Sequence, residues 1–172
     1  MSRHAGGAGA TPDEVAAFAP FRPRRGRTVS LGFAVASLVV FAVIAVVLPG
    51  PEQGGTWRAG DRVFFALLGV AIAALLWRFA SIRALPTRET LTVRNLFTTR
   101  VIPWRSVVDV RFGGGDPWVT IELDDTDTVA VMAIQKADAE VARSEASRLA
   151  ALVQALGPSA TSPDVTPDVT PD

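Results

Sequence analysis

The sequence contains no cysteine and no tyrosine, and its one histidine is His4. Without cysteine there are no disulfides, no thiolate metal ligands and no cysteine nucleophile. With one histidine, in an N-terminal stretch rich in Gly and Ala, a Ser-His-Asp triad and a histidine metal cluster are excluded. We expect no cofactor and no bound metal. Net charge is also absent, because 17 basic residues balance 17 acidic ones. A nucleic-acid partner therefore gains no electrostatic support. Lysine is almost missing: Lys136 is the only one, and the remaining basic residues are arginine, which reads as compositional bias.

What the chain has is two apolar stretches near its start. Residues 29–48, VSLGFAVASLVVFAVIAVVL, carry no charge. About twenty such residues cross roughly 30 Å of hydrocarbon as a helix. A buried helix of this length in a soluble protein shows a polar face, and here only Ser30 and Ser37 are polar. Residues 63–82, VFFALLGVAIAALLWRFASI, form a second candidate span. Arg78 interrupts it one turn from the end, where a long side chain snorkels to the headgroups, and Trp77 beside it suits an interfacial anchor.

Charge around these stretches sets an orientation. Arg22, Arg24, Arg25 and Arg27 precede the first, and Arg78, Arg83, Arg88 and Arg94 lie at or after the end of the second. In the connecting loop Arg58 and Arg62 are offset by Glu52 and Asp61. Basic residues gather on the cytoplasmic side, so we expect a multi-pass protein of the cell (plasma) membrane with both termini inside. Arg22 to Arg27 are read as the topology signal. No small-residue cleavage site follows the first stretch, so it is expected to stay uncleaved. Gly69, Ala71, Ala73 and Ala74 offer a small face for helix packing, through which the hairpin would pair with a second copy or another membrane protein.

The two ends are low in pattern. Residues 1–28 are expected to be a disordered basic tail, rich in Ala, Gly and Pro. Residues 157–172 end in a Pro-Asp-Val-Thr repeat carrying Thr166 and Thr170. Proline this frequent builds neither helix nor interior strand, so a solvated tail is expected.

Between them, residues 84–156 read as a separate domain. Short alternating runs predict strands at 90–94, 99–104, 107–112, 118–123 and 129–134. Within them Val108, Val110 and Phe112 are expected inward, as are Val119, Ile121 and Leu123. Asp109 and Glu122 fall outward, which argues against a catalytic carboxylate pair. Pro103 marks a strand end or sheet edge. The run 129–134 is apolar enough to be buried on both faces. Residues 137–155 place Val141, Ala142, Leu149, Leu152 and Val153 on one helical stripe, with Glu140, Arg143 and Arg148 mostly off it; Gly157-Pro158 stops the helix. Asp138 is expected to favour that helix's dipole. Gly113 to Gly115 lead into a strand without a following Lys-Ser/Thr, so they form a connection and not a phosphate loop. Asp124, Asp125 and Asp127 lack calcium-loop spacing and read as a turn. Trp104 and Trp118, near strand ends, are expected to cap the core.

The sequence LTVRN followed by an arginine after the turn, then IPW, VRF, GGGDPW and VAVMAIQKAD before a closing helix, resembles bacterial pleckstrin-homology-like (PH-like) domains. More narrowly it is similar to actinobacterial membrane-anchored PH-domain proteins grouped with the low-molecular-weight protein antigen 6 family. The likeness covers about 86–156, and the preceding hairpin fits the same group. It implies a two-helix transmembrane hairpin followed by an α+β PH-like domain, a bent antiparallel sheet or barrel with a C-terminal helix. It implies no activity, and it explains neither the N-terminal tail nor the terminal repeat. An uncleaved hairpin also departs from a secreted antigen. By analogy with headgroup-binding PH domains, Arg88, Arg94 and Arg100 around the first hairpin are the expected contacts for an anionic lipid or partner.

The function these features support is a non-enzymatic, membrane-tethered binding module at the cytoplasmic face. Its partners would be the lipid bilayer together with a protein partner or a second copy of itself. The alternative is an accessory subunit of a membrane enzyme or transporter complex.

Overall fold

The computed structural model describes residues 11–113 and 115–158. The first ten residues, Gly114 and the Pro-Asp-Val-Thr repeat lie outside them.

Both apolar stretches are helices. Helix α2 spans Arg24–Val47 and α3 spans Ala59–Ala80, after a short helix α1 at Pro12–Ala17. Helix α2 begins five residues before the apolar run. Pro23 precedes it with extended backbone, and the basic RRGR segment forms its first turn. The loop turns through a 3-10 segment, Pro51–Gln53. Helix α3 opens with the Asp61 carboxylate accepting from the Arg58 backbone N–H at 2.9 Å. The helices pack closely because the contact is small: Gly69 and Ala73 are buried. A Cβ built on Gly69 would stand 2.5 Å from Cβ of Phe41. Ser37 Oγ donates to the Gly69 carbonyl at 3.4 Å. That part of the small face is thus used within the chain, whereas Ala71 and Ala74 face outward. So do Phe33, Val35, Val43, Val46, Phe64, Leu67 and Val70.

The remainder is α+β, as expected. Strands β1 (Arg83–Pro86), β2 (Thr90–Arg94) and β3 (Thr99–Pro103) form one antiparallel sheet. Strands β4 (Val107–Arg111), β5 (Trp118–Leu123) and β6 (Thr128–Gln135) form a second. Helix α4, Glu140–Leu156, buries Ala142, Ala146, Leu149 and Leu152. Strand β1 is too short to show alternation and is absent from the sequence-based expectation. Trp104 caps the core at 1% exposure, its indole N–H donating to the Thr87 carbonyl at 2.8 Å. Asn95 joins the two sheets: its Nδ2 donates to Ala130 O at 2.7 Å, and its Oδ1 accepts from Met132 N at 3.3 Å.

Four sequence-based expectations change. In β4 Val107 is buried and Val108 is exposed, because a register shift between Val107 and Asp109 turns the side chains over. Strand β6 is not buried on both faces but alternates until Ala133 and Ile134. Residues 11–28 are not a disordered tail. Phe21 is fully buried in the domain core, and its backbone pairs with Ala84 at 2.9 and 3.0 Å. Arg148 lies over the Phe21 ring at 3.9 Å and donates to the carbonyls of Ala16, Ala17 and Ala19. Composition averages over this segment and hides two aromatic anchors, Phe18 and Phe21.

The fourth change concerns Asp138. It is buried in the 3-10 turn Lys136–Asp138, and its carboxylate accepts from the backbone N–H groups of Arg24 and Arg25, both at 3.0 Å. It therefore caps α2, more than a hundred residues earlier, rather than serving the dipole of α4. A carboxylate at a helix N-terminus satisfies orphan donors and favours the dipole there. Helix α2 and the domain are joined at this point.

Candidate arginine cleft at the anchor junction

The chain enters the domain through Ser81 and Ile82, and strand register then sets where its arginines point. Arg83 on β1 stands directly opposite Arg94 on β2. Ala84 and Val93 are their inward neighbours, so both arginines project from the outer face. Like charges in directly opposed positions are destabilising. Here the pair is reinforced. A cavity of about 170 Å³ is lined by Arg22, Arg27, Arg83 and Arg94 together with Leu31 and Trp77. A neighbouring one of about 270 Å³ is lined by Arg78, Arg83, Arg94, Leu85, Thr92 and Thr99. The two share Arg83 and Arg94, and neither has an acidic residue in its lining.

Among the described residues, none of these five arginines makes an ion pair. Nε of Arg83 is buried with no hydrogen-bond partner. Several other arginines in the domain are paired, although among the described residues Arg105 is not. Arg111 meets Asp109 and Glu122, Arg143 meets Glu140, and Arg148 meets Glu145. Guanidinium groups converging without carboxylates suit a phosphate or carboxylate ligand, which they grip through parallel N–H donors. Trp77 is exposed at the rim, near the end of α3.

The structure does not bring Arg88, Arg94 and Arg100 together. Arg88 sits on the β1–β2 turn, at the far end of β2 from Arg94, and pairs with Glu14 of α1. Arg100 is opposite Val93 and so stands on the other face of the sheet from Arg94. It reaches Asp127 at 2.6 Å. That hydrogen bond, then one from the Thr128 N–H, then the Arg100 charge hold the Asp127 carboxyl below its ordinary value. Of the three, only Arg94 faces the cleft. Arg22, Arg27, Arg78 and Arg83 were legible in sequence as a topology signal, but their convergence was not. Asp109 and Glu122 share Arg111, so their pairing is a surface ion network.

Residues 80–151 match a family model described as Bacterial PH domain. The match takes in β1 to β6 and most of α4, so it begins slightly earlier than the likeness read from motifs. The chain is also similar to Uncharacterized protein Rv1417 of Mycobacterium tuberculosis (strain H37Rv) and Uncharacterized protein Mb1452 of Mycobacterium bovis. Each is 34% identical over 108 residues, covering 62% of this chain and 70% of the relative. No solved structure matches.

Proposed function

The chain belongs to the bacterial PH-domain family, and from that premise we propose a membrane-tethered, non-enzymatic binding module. The α2–α3 hairpin spans the cell membrane, the domain lies at the cytoplasmic face, and the cleft around Arg83 and Arg94 receives the phosphate of an anionic inner-leaflet lipid. One observation carries the reading. Two opposed arginines, joined by three more from both anchor helices and their flanks, are left without carboxylates at the junction of hairpin and domain. Like charges gathered this closely repel one another, and a bound anion offsets that repulsion. The lipid source follows from position. Arg78 and Trp77 lie in the last turn of a helix long and apolar enough to cross a bilayer, at the depth where headgroups lie.

The test is native mass spectrometry of the full chain released from membranes in mild detergent. The wild type should retain phosphatidylglycerol or cardiolipin, and Arg83→Gln/Arg94→Gln should lose most of it. Retention unchanged by the double substitution would overturn the site. Displacement of bound lipid by inorganic phosphate alone would point to a soluble phosphate ligand instead. Reporter fusions after Leu156 and in the Pro51–Gln53 loop test the sidedness separately.

A further inference from the structure

Phe97 is 79% exposed, more than any other large apolar side chain among the described residues. It is also firmly presented. It sits in the turn between β2 and β3, which Asn95 N closes onto Thr98 O at 2.9 Å. Asn95 ties that turn to β6 through both ends of its amide, and Leu96 is buried in the core. A turn anchored on either side of Phe97 holds the ring outward as part of the fold.

Strand register places the turn relative to the anchor. Helix α3 ends at Ala80, and β1 starts only three residues later at Arg83. Arg83 pairs with Arg94, and Arg94 pairs with Thr99. The turn 95–98 therefore projects beyond that row, on the side from which the anchor enters. Arg94 and Thr99, which flank the turn, line one cavity with Arg78 of the last turn of α3. An exposed aromatic bounded by arginines, level with the end of a candidate membrane span, has the composition of an interfacial anchor: a ring for the headgroup–acyl boundary and cations for the phosphates.

We infer that the β2–β3 turn is a second, shallow membrane contact in which Phe97 enters the bilayer interface beside the arginine cleft. The inference rests on the membrane-tethered reading and adds an orientation to it. The hairpin meets the domain at the end of α3 and, through Asp138, at the start of α2. Phe97 adds a membrane contact on the β2–β3 side, so that Arg83 and Arg94 stay turned toward the headgroups. The bilayer is preferred to a protein occupant because the turn lies beside the end of α3, whose Arg78 lines a cavity with Arg94 and Thr99.

The absence of cysteine makes the test clean. Phe97→Cys, labelled with an environment-sensitive fluorophore, is reconstituted as the full chain in nanodiscs of phosphatidylglycerol and phosphatidylcholine. Thr98→Cys repeats the measurement with the ring intact. Val40→Cys in α2 reports the span, and Arg105→Cys, at the opposite end of β3, reports open solvent. Positions 97 and 98 should be blue-shifted relative to 105 and quenched by lipid spin-labelled near the headgroup, with 40 quenched by deeper labels. If 97 and 98 match 105 while 40 is quenched, the turn stays in water and the inference falls alone. A blue shift without lipid quenching would mean a protein surface covers Phe97, which also overturns it. If 40 is not quenched either, the membrane-tethered reading fails with it.

Discussion

The α2–α3 hairpin and the PH domain are built from similar residues turned in opposite directions. In the domain most large apolar side chains point inward: Leu91, Trp104, Ile121, Ile134 and Leu149 are essentially buried, with Phe97, Val101 and Val108 the exposed exceptions. In the hairpin they point outward, and the buried positions are Ala34, Ala45, Gly69 and Ala73. Water drives the first arrangement, since burying apolar area is its main source of stability. The second makes sense where the surroundings are themselves apolar, because association then depends on close backbone packing and not on exclusion of water. One chain thus holds two folding rules, and Asp138, Phe21 and Arg148 join them.

Substitutions can break this comparison, beginning with the domain core. Trp104→Ala removes a buried indole and its bond to Thr87 O, and should cost about 3–5 kcal/mol. Thermal unfolding followed by circular dichroism should show the domain's near-ultraviolet transition collapse while far-ultraviolet helicity from the hairpin persists. Loss of both together would mean the two regions are one cooperative unit. Gly69→Leu tests the other rule. A Cβ on Gly69 would stand 2.5 Å from Cβ of Phe41, closer than van der Waals contact, and overpacking of this kind costs on the order of 1–3 kcal/mol. Pulsed electron resonance between labels at Val43 and Val70 should broaden, with the domain's melting temperature unchanged.

Asp138→Ala acts on the join. Losing a carboxylate cap typically costs about 0.5–2 kcal/mol. Hydrogen exchange at the Arg24 and Arg25 amides should accelerate several-fold, and equal protection in variant and wild type would show that the cap does not hold the helix. The smallest effect is at Asp127. Its carboxyl is depressed below 3.8 chiefly by the hydrogen bond from Arg100. A lowered folded value means that its contribution is present above the ordinary value and fades as pH falls through the folded one. In nuclear magnetic resonance titration Arg100→Gln should move Asp127 back toward 3.8, with little change in stability because the pair is exposed.

Much of the domain was legible because its signals are local. Alternation located five strands to within a residue or two, Pro103 ended β3, and the 3.6-residue stripe located α4. Strand β1 escaped because Arg83–Pro86 has one apolar residue on each face and ends in proline. Val108 was placed inward because a bulge is invisible to a two-residue period. The site was legible only as charge. Arg88, Arg94 and Arg100 are close in sequence, but strand alternation sends Arg100 to the other face and the length of β2 carries Arg88 away.

By itself the sequence determined two helices long and apolar enough for a membrane, the order of strands and helix after them, and a surplus of arginine beside the spans. These depend on the hydropathy and periodicity of neighbouring residues, which no distant contact is needed to define. Only the tertiary structure decided that Phe21 fills the core, that Asp138 caps a helix over a hundred residues away, and that Arg22, Arg27, Arg78, Arg83 and Arg94 line two adjoining cavities sharing Arg83 and Arg94. Those facts depend on which segments fold back against one another, and charge and hydrogen bonding act through the distances that folding creates.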